Sequence, residues 1–228
     1  MTLNNHSEPG KLGAIAATVA TGILPAIKLK QQLDLIPHVR AMYEGGARAI
    51  EITVTTPGVF KSFETLACEF GESLYLAAGT VLDAATARTA ILAGARIIVS
   101  PAVVPEVIAT ANRYGVACYS GAFTATECLT AMQAGADMVK IFPASLGGPK
   151  YMTNLRMVYP NVKLIPSGGI GLDTAPEYIR CGATAISGAR QFFDPNLATS
   201  NGLSSVTEQI ARYIKVVADA KAEDISLP

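Results

Sequence analysis

Lys140 lies in the run Met138–Phe142, MVKIF, an apolar stretch that reads as a β-strand. In a parallel sheet covered on both faces, a lysine at mid-strand is no ordinary solvated side chain. Period-two alternation puts Met138, Lys140 and Phe142 on one face and Val139 and Ile141 on the other. Pointed inward, the ammonium loses solvation, the charged form is disfavoured, and the free amine becomes a nucleophile towards a carbonyl carbon. Schiff-base formation is the chemistry this permits. The bland alternative is a lysine that snorkels past the strand end or sits in a structural ion pair. Glu51 holds the matching position in Ala49–Thr55, AIEITVT, where Glu51, Thr53 and Thr55 alternate with Ile50, Ile52 and Val54. A polar inward face is costly unless water, substrate or a partner satisfies it. Glu51 is therefore the general acid/base candidate, because imine chemistry needs a proton shuttle. An ion pair with Lys140 or Lys28 is its structural alternative, and the two roles are compatible.

Further polar groups gather where apolar runs end. Gly79-Thr80, Ser100-Pro101 and Ser120-Gly121 offer hydroxyls and closely approachable amides. Ser167-Gly168-Gly169 and Ser187-Gly188 stand at the last two run ends, where α/β barrels hold phosphate. Lys28, expected at the centre of the first strand, and Arg190, just past the last, are the candidate fixed cations. Lys150, after Gly147-Gly148-Pro149, reads as a surface residue at a helix start. His6 belongs to a polar N-terminal tail and His38 to a helical segment after Pro37, so the two histidines of the chain argue against a Ser-His-Asp triad or a zinc site. Cys68, Cys118, Cys128 and Cys181 show no CxxC spacing, and reduced thiols in the cytoplasm are the expectation.

Eight short apolar runs must position these residues: Ile23–Leu29, Ala49–Thr55, Ser73–Ala78, Arg96–Ser100, Val116–Tyr119, Met138–Phe142, Lys163–Pro166 and Thr184–Ser187. Amphipathic stretches such as Gln31–Tyr43, Thr86–Leu92, Pro105–Arg113, Ala125–Gln133 and Thr174–Arg180 lie between them. Glycines at 46, 94, 135 and 182 supply helix C-caps before the next strand. The pattern predicts an α/β fold, a (β/α)8 TIM barrel, with an extra N-terminal helix over about 10–20 that covers the barrel bottom, a loop at Asp194–Leu203 and a last helix at Ser204–Ala220. A doubly wound open sheet is the competing architecture, but no GxGxxG opens the first βα turn.

With 228 residues, no linker and no charge block, one domain over 1–228 accounts for the chain. Half of the residues are hydrophobic and 16% are charged, 18 basic against 18 acidic, which excludes disorder and leaves no basic footprint for nucleic acid or a membrane surface. Small-molecule partners are expected, and the apolar composition suits a homo-oligomer. The uncharged stretch Leu12–Ile27 after Lys11 has the look of a secretory signal. Its Ala- and Thr-rich content, the preceding Glu8 and the need for its end as a strand argue against that reading.

In this order the motifs resemble one family from about residue 22 to residue 193: GILPAIKL, GGARAIEIT, AAGTVLD, IIVSPAVVPEVI, GAFTATE, VKIFPAS and IPSGGI. The chain is similar to the class I aldolases of 2-keto-3-deoxy-6-phosphogluconate and 4-hydroxy-2-oxoglutarate. The resemblance implies that Lys140 is the Schiff-base lysine and Glu51 the general acid/base. It places Thr80 near the keto-acid carboxylate and Ser167-Gly168-Gly169 near a distal anion. It further implies a homotrimer that needs no metal or organic cofactor. Two departures stand out: Thr55 replaces an arginine usual after the second strand, and Ser187-Gly188-Ala189-Arg190 replaces the usual GGS. The expected reaction is reversible cleavage of a 2-keto-3-deoxy sugar acid, or a close 2-keto-4-hydroxy acid, to pyruvate and an aldehyde. A phosphosugar isomerase or epimerase, and a non-catalytic anion-binding barrel, are the alternatives.

Overall fold

The computed structural model describes residues 10–194 and 202–224. Strands and helices alternate: α1 (Lys11–Thr21), β1 (Ile23–Ile27), α2 (Ile36–Glu44), β2 (Ala49–Thr53), α3 (Val59–Phe70), β3 (Tyr75–Gly79), α4 (Ala84–Leu92), β4 (Ile97–Val99), α5 (Pro105–Arg113), β5 (Ala117–Ala122), α6 (Ala125–Gln133), β6 (Met138–Ile141), α7 (Ala144–Val158), β7 (Leu164–Pro166), α8 (Ala175–Arg180), β8 (Ile186–Gly188) and α9 (Ser204–Asp224). All strand pairs are parallel in the order β7-β6-β5-β4-β3-β2-β1-β8. A bridge between Ser167 and Ser187 and the Thr184 N–H donated to Leu164 O, 2.9 Å, bring β7 beside β8 and nearly close the barrel. This is the (β/α)8 fold, and every strand residue is buried because helices cover one face and the barrel interior the other.

Local chemistry starts and stops the helices. Thr124 and Glu127 form a reciprocal capping box on α6, and Asp83 caps α4 by accepting from the Thr86 N–H at 2.7 Å. The glycines at 46, 94, 135 and 182 all take positive φ just past a helix, as their spacing predicts. The helix α7 breaks at Gly148, and Lys150 beyond it is exposed.

Several expected boundaries move. The first two strands stop at Ile27 and Thr53, so Lys28 lies beyond β1 rather than at its centre, and Thr55 lies beyond β2. The cause at β2 is a tight turn in which the Thr56 N–H bonds Thr53 O at 2.9 Å, ending the period-two alternation. The helix expected from Gln31 starts at Ile36, with Pro37 in its first turn, and Lys28–Leu35 is loop. Conversely β5 runs on to Ala122 and takes up Ser120 and Gly121. His6 and most of the expected loop from Asp194 to Leu203 lie outside the described residues. His38 is half-buried, edge-on to Phe193, with Nδ1 3.0 Å from Asp34 O.

The inner cluster of the barrel, including Leu24, Tyr75, Ile97, Val99, Tyr119 and Ile165, is plugged from below by Ala14 of α1. Tyr119 OH and Thr18 Oγ1 lie 2.9 Å apart, and Thr18 Oγ1 donates to Ala14 O at 3.0 Å. The neighbouring Cys118 N–H donates to Asp137 Oδ2 at 2.8 Å, and Asp137 pairs with Lys11 of α1 at 3.0 Å. Burial, with a smaller push from Asp137, raises the Cys118 thiol to about 12, and burial likewise holds the Tyr119 hydroxyl well above its ordinary range. Both stay protonated in the folded barrel at a pH where the unfolded chain, near about 8.5 and about 10, has released them. The unfolded state then binds fewer protons, so stability falls as pH rises above those values, by up to about 1.4 kcal/mol per pH unit for each group. Tyr119→Phe is expected to cost about 1 kcal/mol at neutral pH. It should also flatten the decline above pH ~10, where tyrosine titrates. Urea titrations from pH 8 to 11 check this, and an unchanged slope in the variant refutes it.

Candidate active site

The carboxyl ends of the strands surround a cavity of about 220 Å³. This is the face on which (β/α)8 barrels build active sites. Lys140 of β6 and Glu51 of β2 meet in it, Lys140 Nζ standing 3.3 Å from Glu51 Oε1 and 3.2 Å from Oε2. The pair is closed off from water, with Glu51 2% and Lys140 8% exposed. They arrive from opposite sides of the barrel, 89 residues apart in sequence. The inward alternation of β2 and β6 aims both at one point.

Glu51 needs a particular neighbour. A Cβ on Gly79, at the end of β3, would lie 2.1 Å from Glu51 Oε1 and 2.7 Å from its carboxyl carbon. The missing side chain is what lets the carboxylate lie across β3 towards Lys140. Gly121, paired with Lys140 in register, serves the other flank, since a Cβ there would meet the Pro101 carbonyl carbon at 2.1 Å. Gly79→Ala is expected to displace the Glu51 carboxylate and lower kcat about 100-fold, the scale of a misplacement by about an ångström. The fold should survive, because Gly79 has no positive φ to satisfy. Steady-state kinetics beside a melting curve check this, and a change in KM alone would contradict it.

The remaining sequence candidates divide. Thr80, Lys28, Ser167, Ser187 and Gly188 line the cavity with the pair. Thr80 holds φ 62, the one positive φ among the described non-glycine residues, and a β-branched residue in that region is strained. Ser187 is fully buried, and its Oγ has no hydrogen-bond partner among the described residues. Gly168 and Gly169, at φ 92 and 80, turn the chain after Ser167 and are not among the residues that line the cavity. Two further candidates, Thr55 and Arg190, also fall outside the lining. Thr55 is exposed and its hydroxyl lies 3.1 Å from Thr53 Oγ1, while Thr53 itself lines the cavity. Arg190 has an 86% exposed side chain, lies 3.8 Å from Asp194, and lines a separate cleft against α9. Sequence alternation contains the signal for Thr53, but only up to the turn that ends β2. Ser100 and Ser120 are buried and structural: Ser100 Oγ donates to Ala102 O at 2.7 Å and Ser120 Oγ faces Gly121 O at 3.5 Å. Phe142, 42% exposed, supplies an apolar wall to the cavity.

A parallel barrel with a lysine amine and a carboxylate buried together at its carboxyl face has the constitution of an imine-forming aldolase. A family profile described as KDPG and KHG aldolase matches residues 15–209, and the chain belongs to that family. It is 34% identical over 195 residues to the 2-dehydro-3-deoxy-phosphogluconate aldolase of Treponema pallidum, covering 82% of this chain and 92% of that one. Against the 2-dehydro-3-deoxy-6-phosphogalactonate aldolase of Escherichia coli the identity is 29%, over 82% of this chain and 90% of the relative. Among solved structures, a KDPG aldolase of Legionella pneumophila with pyruvate captured as a covalent carbinolamine intermediate superposes with TM-score 0.76 at 25% identity, over 86% of this chain and 95% of that one. The protein is thus a class I aldolase, a lyase. No helix of the described residues is long and apolar enough to cross a membrane.

Proposed function

We propose that Lys140 is the Schiff-base nucleophile and Glu51 the proton shuttle in reversible cleavage of a 2-keto-3-deoxy sugar acid, such as 2-dehydro-3-deoxy-6-phosphogluconate, or of 4-hydroxy-2-oxoglutarate. The observation that carries this reading is the single one of Lys140 Nζ within 3.3 Å of both Glu51 oxygens inside the cavity. Glu51 accepts the proton that frees the amine, and Lys140 Nζ attacks C2 of the keto acid. A proton passes from the adduct nitrogen to its oxygen to give the neutral carbinolamine, the protonated carboxyl then gives its proton to that hydroxyl, water leaves, and a protonated imine forms. Glu51, again a carboxylate, takes the proton of the C4 hydroxyl while the C3–C4 bond breaks into the imine. The aldehyde departs, the enamine takes a proton at C3, and hydrolysis releases pyruvate and the amine. The imine is itself the electron sink, so the route asks for no cofactor.

Thr80, at the end of β3, serves the keto-acid carboxylate in this reading, and Ser167, Gly168, Gly169, Ser187 and Gly188 serve the far end of the substrate. Phe142 keeps the reacting carbons in an apolar setting. A single barrel domain operating as a cytoplasmic homotrimer completes the proposal. The four free cysteines and the exposed Leu146, Met157 and Val158 of α7 support it. The test is pyruvate release from phosphorylated 2-keto-3-deoxy acids, their unphosphorylated counterparts and 4-hydroxy-2-oxoglutarate. Release from none of them would sink the assignment.

A further inference from the structure

Cavity charge points to a determinant of substrate choice. Three charged side chains line the cavity, Lys28, Glu51 and Lys140, and the last two neutralise each other. Lys28 is left without an ion-pair partner among the described residues, so the cavity as a whole carries one uncompensated positive charge. Its position is specific. Lys28 follows β1 directly, and β1 pairs with β2 through Ala26 and Glu51 on one side and with β8 through Pro25 and Gly188 on the other. It therefore follows the strand that pairs with β8, and it lines the same cavity as Ser187, whose buried hydroxyl lacks a partner among the described residues and which pairs in register with Leu24 of β1. The Gly168-Gly169 turn directly follows Ser167, the residue bridged to Ser187. Arg190, the other cation near this strand end, faces a different cleft. A buried hydroxyl without a partner is costly and asks for a ligand oxygen, and a lone ammonium in the same cavity asks for that oxygen to be anionic.

We propose that Lys28 is the specificity-determining cation of this aldolase, binding the distal anion of the substrate, a phosphate ester or a terminal carboxylate, together with Ser187 Oγ. The proposal rests on the aldolase reading above and assigns the far end of its substrate. An ammonium on an exposed, flexible stem accepts either anion as a point charge, without the bidentate demand of an arginine.

The experiment compares Lys28→Met, Lys28→Arg and Ser187→Ala on two substrates, the anionic 2-keto acid that the wild-type enzyme prefers and its counterpart ending in a hydroxyl. Lys28→Met is expected to lower the ratio of their kcat/KM values by about 10- to 100-fold, mostly through KM for the anionic substrate. Lys28→Arg should restore most of the ratio, and Ser187→Ala should lower it by a smaller factor. Inorganic phosphate, or malonate where the preferred substrate is the dicarboxylic one, should compete with the anionic substrate less well in Lys28→Met. An equal loss on both substrates overturns the proposal, because Lys28 would then act at the keto-acid end or on the fold. An unchanged ratio overturns it too. Borohydride trapping of pyruvate, which has no distal anion, runs on wild type beside these assays. Absence of an adduct there would fail the aldolase reading itself, and so separates the two failures.

Discussion

Lys140→Arg is expected to abolish both C–C cleavage and the covalent pyruvate adduct while leaving the barrel folded. The guanidinium keeps a positive charge against the buried Glu51 carboxylate, whereas an apolar replacement would strand that carboxylate at 2% exposure. Stranding one partner of a buried pair costs on the order of 3–5 kcal/mol, so Lys140→Ala confounds lost chemistry with lost stability. Arginine does not deprotonate in proteins and so supplies no nucleophilic amine. Cleavage should fall by about 10⁴-fold or more, the scale of removing a covalent nucleophile from a site that otherwise retains its binding groups. Borohydride with pyruvate should add one reduced pyruvyl group to the wild-type chain, on the peptide that contains Lys140, and none to the variant. The same experiment weighs the isomerase reading. If Lys140 only stabilised charge, the arginine variant would keep substantial activity and the wild type would remain unlabelled.

The sequence carries the chemistry of this site more fully than its outline. All eight strands follow from short apolar runs, and the convergence of Lys140 and Glu51 from period-two alternation within two of them, because strands buried on both faces leave a charged residue nowhere to point but the barrel mouth. What escapes alternation lies where strands end. Thr53 and Thr55 are equivalent in the pattern, yet the turn closed by the Thr56 N–H turns one into the cavity and the other out to solvent. Lys28 reads as mid-strand because ILPAIKL is uniformly strand-like, and only the structure shows β1 stopping one residue short of it. Arg190 follows β8 in sequence as a phosphate ligand would, but the turn after Gly188 carries it towards Asp194. Gly79 and Gly121 read in the sequence as approachable amides at run ends, not as room for neighbouring groups. Their role depends on atoms from neighbouring elements, the Glu51 carboxylate and the Pro101 carbonyl, and a close approach of that kind has no local signature.

Glu51→Gln gives the second large effect and bears on the whole arrangement. The amide keeps the volume and reach of the carboxylate, so contact across Gly79 persists, but it neither takes the proton from the attacking amine nor returns one to the carbinolamine oxygen. Loss of a positioned general acid/base lowers kcat by about 10²- to 10⁴-fold. Because dehydration of the carbinolamine and deprotonation of the C4 hydroxyl both pass through Glu51, borohydride trapping of pyruvate should slow together with cleavage. Trapping at the wild-type rate would confine Glu51 to bond cleavage. A double-mutant cycle then ties the carboxylate to the glycine beneath it. If Gly79 matters because it lets Glu51 lie across β3, Gly79→Ala should cost about 100-fold in the wild-type background. In Glu51→Gln it should cost little, since the displaced group no longer moves protons. Residues that act through one another depart from additivity by about 0.5–3 kcal/mol, well above the scatter of independent sites. Additive losses would instead mean that Gly79 supports the barrel mouth in its own right, and that the carboxylate reaches Lys140 without it.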